Sequence, residues 1–276
     1  MADAPLVSVI LTTYNESDRI EIALHSIFAQ TMTDYEVVVV DDGSTDDTVD
    51  VMRRMGDARV HVVEAGRLGR GGALKRAVEE ARGKYVANLD ADDEACPDRL
   101  AGQSVYLEGH PEVVWLGGGE EMVDNRRGER FVRRYPTDDA AIRRQSAKCI
   151  PYSHSAVMFR RSLLEEGLNY DPAQPYLIDF EFFLRVASKH PVANLDEPVV
   201  RRNVRGESYF QSSFSTARQN RRLAVLCARA IRRFGLPVSC YVFPMARLAY
   251  PLLPGWLKRR IRHSQGLRET ELAVGN

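Results

Sequence analysis

The stretch Leu6-Val-Ser-Val-Ile-Leu-Thr-Thr13 decides the fold, because a short apolar run rich in β-branched residues predicts a buried strand. Apolar residues then recur at helical spacing from Ile20 to Phe28, which predicts a helix after that strand. The same order repeats along the chain, with further predicted strands at 35–40, 59–64 and 84–89. This alternation predicts an α/β fold with a mostly parallel central sheet flanked by helices.

Polar residues follow three of the predicted strands, at 12–16, 41–44 and 90–93. The carboxyl ends of parallel strands share one edge of a sheet, and open α/β sheets bind their ligands at that edge. The sequence therefore predicts that these three clusters meet in one functional site.

After residue 100 the alternation loosens. Helices are predicted at 97–109 and 179–189, short strands at 113–116, 156–159 and 197–202, and a loop-rich stretch at 124–150. An Arg-rich helical pattern then runs from 214 to 234. We expect a main domain over 1–205, with halves 1–100 and 101–205, and a basic helical C-terminal extension over 206–276.

The net charge of zero, from 38 Lys+Arg and 38 Asp+Glu, hides a gradient along the chain. Residues 1–100 carry 11 basic and 20 acidic residues, whereas residues 201–276 carry 15 basic and 3 acidic ones. The 44% hydrophobic and 28% charged composition is that of a globular protein, which excludes a disordered or fibrous chain. We expect no nucleic-acid partner. The basic C-terminal end predicts contact with an anionic partner of another kind.

Four scattered cysteines without a CxxC pair are typical of reduced thiols, and no secretory signal follows Met1. We therefore expect a cytoplasmic protein. The stretch after residue 255 has a basic amphipathic pattern that predicts contact with an anionic membrane surface, at the cytoplasmic face. Its members are Trp256, Leu257, Lys258, Arg259, Arg260, Ile261 and Arg262. The alternative is a helix packed on the domain.

The sequence Asp90-Ala-Asp92 closes a predicted buried strand. Its hard oxygen ligands suit Mg²⁺ or Mn²⁺, although a solvated acidic turn has the same sequence pattern. Asp41 and Asp42 end another strand, where an Asp can accept hydrogen bonds from a nucleoside or cap a nearby helix, and each member can do a different one. Tyr14 is placed to stack on a base, with turn formation as the alternative.

The loop Gly66-Arg-Leu-Gly-Arg-Gly-Gly72 predicts a close backbone approach to phosphate, with several cations nearby. It matches neither a dinucleotide fingerprint nor a P-loop, which argues against hydride transfer and P-loop chemistry. Asp179 and Glu181 open a predicted helix, where one can act as a general base or simply favour the helix dipole. His154 precedes an apolar stretch, and a structural role is its simpler interpretation.

Six motifs occur in a fixed order over about residues 5–205. They are Val7-Ser-Val-Ile-Leu-Thr-Thr-Tyr-Asn15, Val38-Val-Val-Asp-Asp-Gly-Ser-Thr-Asp46, Ala81-Arg-Gly-Lys-Tyr-Val-Ala87, Leu89-Asp-Ala-Asp-Asp93, His154-Ser-Ala-Val-Met-Phe-Arg-Arg161 and Asp179-Phe-Glu-Phe-Phe-Leu-Arg185. In this order and spacing the chain resembles the family 2 glycosyltransferases, which have the GT-A fold. The resemblance implies transfer of a sugar, with inversion, from a nucleotide-diphosphate donor. UDP is the favoured nucleotide, and the acceptor is a glycan or a lipid-linked glycan.

The resemblance also assigns roles to particular residues. It implies that Thr12, Tyr14 and Asp42 hold the nucleoside and that Asp90 lies near the ribose. Asp92 would bind the divalent cation, Mn²⁺ or Mg²⁺, on the diphosphate. Asp179 matches the catalytic base, which takes a proton from the acceptor hydroxyl. His154 and Glu181 are the expected acceptor-side residues.

Two departures from the family pattern change the expectations. Ile178 stands where an acidic neighbour of the base is common, and Leu74-Lys75 stands where Arg-Asn is common. A phosphate or sugar contact would then move to Arg70, Lys75 or Arg76, and we include Lys75 in the predicted nucleotide site. Two other functions stay open from the sequence, a non-catalytic nucleotide-sugar or carbohydrate-binding subunit and a nucleotidyltransferase.

Overall fold

A central sheet of nine strands organises the residues described by the computed structural model, which are 4–124, 128–203 and 217–254. Its first half contains four parallel strands in the order β3-β2-β1-β4. Their bounds are β1 (Val7–Thr13), β2 (Tyr35–Asp41), β3 (Val60–Glu64) and β4 (Tyr85–Asn88). The connecting helices are α1 (Ile20–Phe28), α2 (Thr48–Met55) and α3 (Gly69–Glu80). The α/β alternation predicted for this half is confirmed.

The second half of the sheet is mixed, so the parallel arrangement does not extend across the whole sheet. Strand β8 (Met158–Arg160) lies antiparallel to β4 and to β6 (Trp115–Asp124), and β9 (Val192–Asn203) lies parallel to β6. Strands β5 (Asp93–Ala95) and β7 (Glu129–Arg133) pair antiparallel with β9 and β6. Helices of this half are α4 (Arg99–Gly109), α5 (Asp139–Gln145) and α6 (Ile178–Ala187).

Three boundaries in this half differ from the prediction, and close packing explains the largest. Strand β6 runs through the glycines at 117–119 instead of ending before them, because it pairs there with β9. The two strands approach so closely that a Cβ on Gly117 would lie 2.0 Å from Asn194 Oδ1, so only glycine fits. Strand β9 likewise begins five residues earlier than predicted. The stretch predicted as loop at 124–150 contains β7 and α5, and the Asp138 carboxylate caps α5 by accepting from Ala141 N.

Two apolar cores lie on the two faces of the sheet, because side chains alternate along a buried strand. Val37 and Val39 of β2 enter the core beneath α1, whereas Val38 and Val40 enter the core beneath α3 and α6. Trp115 lies at the centre of the second core, with its ring 5.5–5.7 Å from four other aromatic rings. Those rings belong to Tyr152, Phe159, Phe182 and Phe183.

The described part of the C-terminal extension is helical, as predicted. Helix α7 (Ala217–Arg233) buries an apolar face containing Leu223, Leu226 and Cys227 in the core that it shares with α6. Helix α8 (Val242–Ala249) follows, with a 3-10 turn at each end, and packs on α7. Among the described helices, none has the length and hydropathy that a bilayer span requires.

Candidate active site

A cleft of about 170 Å³ opens at the carboxyl ends of β1, β2 and β4, where the polar clusters were expected to meet. It is lined by Thr12, Thr13, Tyr14, Glu16, Asp42, Arg70, Ala73, Asp90, Ala91 and Asp92. Five predicted site residues, Thr12, Tyr14, Asp42, Asp90 and Asp92, therefore share one cleft.

Two polar residues near this cleft form turns and do not face a ligand. Asn15 adopts φ 54°, and its Oδ1 accepts from Thr45 N at 2.8 Å, while its own N–H donates to Ser44 Oγ. The Asp41 carboxylate accepts from the backbone N–H groups of Gly43 and Ser44. Together these bonds fix the loops after β1 and β2 against each other, which holds the rim of the cleft.

Tyr14 is 41% exposed at the rim, and its ring carries the Arg67 guanidinium at 3.6 Å from the ring centroid. Arg67 also lies 3.9 Å from the Asp42 carboxylate. This cation–π contact covers one face of the ring, so a nucleobase would stack on the other face or displace Arg67.

Asp42 is buried and caps a helix, but the helix is α3 and not α2, the helix nearer in sequence. Its Oδ1 accepts from Leu68 N at 2.6 Å and from Gly69 N at 2.8 Å, where α3 begins. A carboxylate at this position satisfies N–H groups that have no partner within the helix. The Gly-rich loop thus approaches a carboxylate of the protein itself, and α3 starts within the predicted loop.

Asp90 lies at the floor of the cleft between the side chains of Arg70 and His154. Its Oδ1 is 3.0 Å from Arg70 Nη2 and 3.4 Å from His154 Nδ1, and its backbone N–H donates to Ser155 Oγ. Burial disfavours the carboxylate, but Arg70 and His154 outweigh that effect and hold the pKa of Asp90 well below its usual range. Asp90 is therefore a fixed negative charge.

Asp92 has different surroundings, because its carboxylate is exposed at the cleft edge. Across residues 4–124, 128–203 and 217–254, no three His, Cys, Asp or Glu side chains converge as a metal site would require. Mg²⁺ and Mn²⁺, however, commonly use one or two protein carboxylates and complete their coordination with water and substrate phosphates. An open carboxylate beside the cleft fits that coordination.

Arg70 occupies the centre of the cleft and was only one of three cations considered from the sequence. The charge of Asp90 raises the pKa of Arg70, burial opposes the shift, and Asp179, Tyr170 and Asp92 add to it. Arg70 therefore forms an ion pair with Asp90 and feels the negative charge of two further predicted site residues, Asp179 and Asp92. Its side chain keeps 57% of its surface exposed, so it remains accessible to a ligand.

Lys75 does not line the cleft. It lies five residues after Arg70, which places it about 140° around α3, and its Nζ is 3.7 Å from Glu79. Arg76 likewise pairs with Glu80 on the outer surface. This geometry does not support Lys75 in the nucleotide site, and Arg70 is the α3 cation that reaches it.

Asp179 is the second residue of α6, and the residue before the helix, Leu177, has a left-handed conformation with φ 48°. The loop before it packs on α3, where a Cβ on Gly71 would lie 3.2 Å from Asp171 O. Burial, followed by the charge of Asp179, holds the pKa of Tyr170 well above its usual range. No described side chain hydrogen-bonds the Asp179 carboxylate, which leaves that group available to an acceptor.

The two residues expected on the acceptor side, His154 and Glu181, do not line the cleft. His154 is 8% exposed, and its Nε2 lies 2.9 Å from Tyr170 Oη beneath the cleft floor. Glu181 is buried on the other side of α6, where its carboxylate accepts from Arg185 Nε at 2.9 Å. His154 therefore supports Asp90, and Glu181 stabilises α6.

The sequence reasoning missed a buried ionic network beside the cleft. Asp93 and Glu120 are 2% and 0% exposed, and Arg202 of β9 lies within 3.2–3.4 Å of both. Burial raises the pKa of Asp93 to about 6, although Arg202 opposes the shift. Asp93 also accepts from Ser155 Oγ, whose oxygen receives the Asp90 N–H. The signal in the sequence was Arg202, a charged residue at the end of the predicted strand 197–202.

A model of glycosyl transferase family 2 matches residues 8–168, which is more than half of the chain. The chain belongs to glycosyl transferase family 2. Family membership makes the protein a glycosyltransferase and sets aside the nucleotidyltransferase and the non-catalytic subunit.

This family 2 glycosyltransferase is similar in sequence or fold to several known proteins. The amylovoran biosynthesis glycosyltransferase AmsE of Erwinia amylovora is 30% identical over 202 residues, covering 71% of this chain and 75% of AmsE. The mannosyltransferase PcManGT of Pyrobaculum calidifontis, solved with GDP-Man and Mn²⁺, has a TM-score of 0.63 at 27% identity, over 90% of this chain and 70% of PcManGT.

The S. aureus TarS structure with UDP-GlcNAc has a TM-score of 0.65 at 21% identity, over 89% of this chain and 71% of TarS. At that identity the likeness concerns the fold alone. The GT-A fold predicted from the sequence is confirmed.

Proposed function

We propose that this glycosyltransferase moves a sugar from a nucleotide-diphosphate donor to a hydroxyl of a glycan or lipid-linked acceptor, with inversion and with UDP as the preferred nucleotide. The observation that carries the proposal is the Arg70–Asp90 ion pair in the cleft, with Nη2 and Oδ1 3.0 Å apart, and the charges of Asp179 and Asp92 also raise the pKa of Arg70. A donor in this cleft would have its diphosphate beside a cation and its sugar beside a free carboxylate.

The donor half of the cleft supplies the nucleoside contacts in this proposal. Thr12, Tyr14 and the second oxygen of Asp42 face the nucleoside, and Asp90 lies toward the ribose. Arg70 replaces the arginine that the family has at position 74, because residues 70 and 74 are one turn apart on the same face of α3. Leu74 itself is buried in the core.

Asp92 would hold the divalent cation, Mn²⁺ or Mg²⁺, with its exposed carboxylate. When bound, that cation would neutralise negative charge on the leaving diphosphate. Arg70 carries a permanent charge in the same cleft, so the chain itself provides part of that neutralisation.

Asp179 would accept the proton of the acceptor hydroxyl as its oxygen attacks the anomeric carbon from the face opposite the diphosphate. Attack from that face inverts the anomeric configuration. The hydroxyl must lie within hydrogen-bond reach of Asp179, so orientation of donor, acceptor and base supplies much of the expected rate enhancement.

A donor panel tests the proposal directly. Thermal unfolding would be followed with UDP-sugars and GDP-sugars, each with and without Mn²⁺, and released nucleoside diphosphate would be measured for every donor that stabilises the fold. Stabilisation and turnover with UDP-sugars support the proposal. A preference for GDP-sugars would overturn the UDP assignment, and binding without turnover across acceptors would overturn the transferase assignment for this site.

Removal of the metal or of Asp92 is expected to weaken donor binding. Asp92→Asn removes the charge that would bind the cation, so the Mn²⁺ concentration for half-maximal turnover should rise at least tenfold. Asp34→Asn is the matched control, because Asp34 is exposed at the opposite end of β2. Unchanged Mn²⁺ dependence in Asp92→Asn would exclude Asp92 as the metal ligand.

Arg70→Met is expected to raise the donor KM. A hydrogen bond to a charged group contributes about 1.5–3 kcal/mol, which corresponds to roughly ten- to a hundredfold in affinity. Lys75→Met, on the outer face of α3, should leave the KM unchanged. The reverse result, a large effect at Lys75 and none at Arg70, would restore Lys75 as the phosphate contact.

A cytoplasmic location and contact of the extension with a membrane also remain proposals. The amphipathic stretch at 256–262 predicted from the sequence lies outside the described residues.

A further inference from the structure

The end of the described chain carries an unusual apolar surface. Five large side chains within the continuous helical run 238–252 are 44–86% exposed, and we call them the apolar stripe. They are Val238, Val242, Met245, Leu248 and Leu252. In α8 itself, only Pro244 is buried. Apolar side chains of this size and number rarely stay in contact with water without a function.

The spacing of the apolar stripe places it on one side of the helix. Successive members are three or four residues apart, so at 100° per residue they occupy roughly a third of the circumference. Helix α8 packs on α7, and the residue of α8 that is buried, Pro244, is not a member of the apolar stripe. The apolar stripe therefore forms one surface on a single side of the helix, and poor packing of the core does not account for it.

The charged side chains in the sequence on both sides of the apolar stripe are all positive. From residue 208 to residue 268 the sequence contains no Asp or Glu and 12 Lys or Arg. At the domain side of α8, Arg247 Nη2 donates to Lys148 O, and Lys148 Nζ lies 4.6 Å from the Phe243 ring centroid. An apolar face with cations such as Arg247 and Lys148 beside it is complementary to anionic lipid.

The extension is also connected to the acceptor side of the cleft. Helix α7 packs on α6, which carries Asp179 in its first turn. The Arg222 guanidinium lies 4.4 Å from the ring centroid of Tyr176, three residues before Asp179. A surface held by α7 and α8 therefore has a fixed position relative to the proposed base.

We propose that the apolar stripe inserts into the interface of an anionic bilayer and presents the cleft to a membrane-embedded acceptor. The acceptor class in this proposal, a glycan on a lipid anchor, rests on the proposed function, whereas lipid binding itself does not. The apolar stripe supplies buried area, and the surrounding arginines supply attraction to anionic headgroups.

Vesicle sedimentation of the full chain tests the docking. Binding is expected to phosphatidylglycerol-containing vesicles and not to pure phosphatidylcholine vesicles, with weaker binding at high salt because headgroup attraction is screened. Met245→Glu combined with Leu248→Glu should reduce partitioning at least tenfold. Val105→Glu is the matched control, since Val105 is 73% exposed on α4, outside the C-terminal extension.

Other outcomes identify a different occupant and overturn the proposal. If Trp256→Glu with Leu257→Glu abolishes sedimentation while the variants of the apolar stripe still bind, residues after 255 are the lipid contact. If no variant and no wild-type protein binds vesicles, but the wild type forms dimers that Met245→Glu disperses, the apolar stripe joins two copies of the chain.

The docking and the proposed function fail separately. Stabilisation by UDP-sugar with Mn²⁺ should be the same in wild type, in the variants of the apolar stripe and in Val105→Glu, because none of these residues lines the cleft. Loss of donor stabilisation in all proteins would reject the proposed function and leave vesicle binding intact. Equal vesicle binding by all proteins would reject the docking surface alone.

Discussion

Asp179→Asn is expected to abolish sugar transfer while the donor still binds. The amide has nearly the same shape as the carboxylate but cannot take a proton from the acceptor hydroxyl, so turnover should fall by roughly 10²–10⁴-fold, the usual contribution of a general base. Nucleoside diphosphate released in the presence of acceptor measures turnover. Thermal stabilisation by the donor with Mn²⁺ measures binding in the same samples.

Glu181→Gln is the matched control on the same helix. Glu181 lies two residues later, on the other side of α6, and pairs with Arg185. Its replacement should leave turnover near the wild-type value, with at most a modest loss of stability. Full activity of Asp179→Asn would exclude Asp179 as the base. Lost donor stabilisation in that variant would instead indicate that Asp179 acts on the donor through Arg70.

The first half of the fold could be predicted because local signals and tertiary structure agree there. Strands such as β2 are buried along their whole length, so they appear in the sequence as unbroken apolar runs. The crossover rule for parallel strands then places their carboxyl ends together. For this reason the sequence predicts that Thr12, Tyr14, Asp42 and Asp90 lie in one cleft.

The second half was harder to predict because tertiary contacts, and not the local preferences of the residues, determine where its strands begin and end. Three consecutive glycines favour a turn, yet β6 continues through them and pairs with β9. Glycine is needed at position 117 because Asn194 of β9 occupies the space that a side chain would need. Pairing between β6 and β9 joins segments about 75 residues apart in the sequence, with register shifts at these glycines. No periodicity within either segment contains that information.

Side-chain partners were likewise outside the reach of the sequence. The sequence predicted Arg70 in a loop with Lys75 close after it, but only the start and orientation of α3 distinguish the cation in the cleft from the one paired with Glu79. The role of His154 also depends on a neighbour, Asp90, that is 64 residues away in the sequence. Helix phase and sheet register decide such contacts.

Arg202→Met is expected to cause the largest loss of stability. Arg202 lies between the buried carboxylates of Asp93 and Glu120, and its removal would leave two negative charges near each other without that cation. Breaking a buried ion pair on one side costs about 3–5 kcal/mol. For a chain of this size, that corresponds to a decrease in Tm on the order of 10 °C.

Arg201→Met is a closely matched control. Arg201 is the neighbouring residue of β9 and points to the other face of the sheet, where its side chain is 42% exposed beside Glu121. An exposed ion pair contributes about 0–1 kcal/mol, so the Tm should hardly change. Equal losses in the two variants would mean that β9 tolerates no substitution here, and the buried pair would not be the cause.

A double variant separates charge from packing. If an unpaired carboxylate causes the loss, Arg202→Met with Asp93→Asn should be more stable than Arg202→Met alone, because Arg202 is the ion-pair partner of Asp93 whereas Glu120 keeps Arg133 at 3.0 Å. Acidic pH should also narrow the difference in Tm between Arg202→Met and wild type, because protonation neutralises the buried Asp93 carboxylate, whose pKa burial raises to about 6. A gap that is constant from pH 7 to pH 5 would point to lost packing.

The same substitution should weaken the donor site through a chain of hydrogen bonds. Arg202 holds Asp93, Asp93 accepts from Ser155 Oγ, and that oxygen receives the backbone N–H of Asp90. At a temperature where Arg202→Met is still folded, the donor KM should therefore rise more than kcat falls, because the turn that carries Asp90 and Asp92 loses its support while Asp179 does not. Arg202→Lys, which keeps the charge but not the forked geometry, should recover part of both the Tm and the KM.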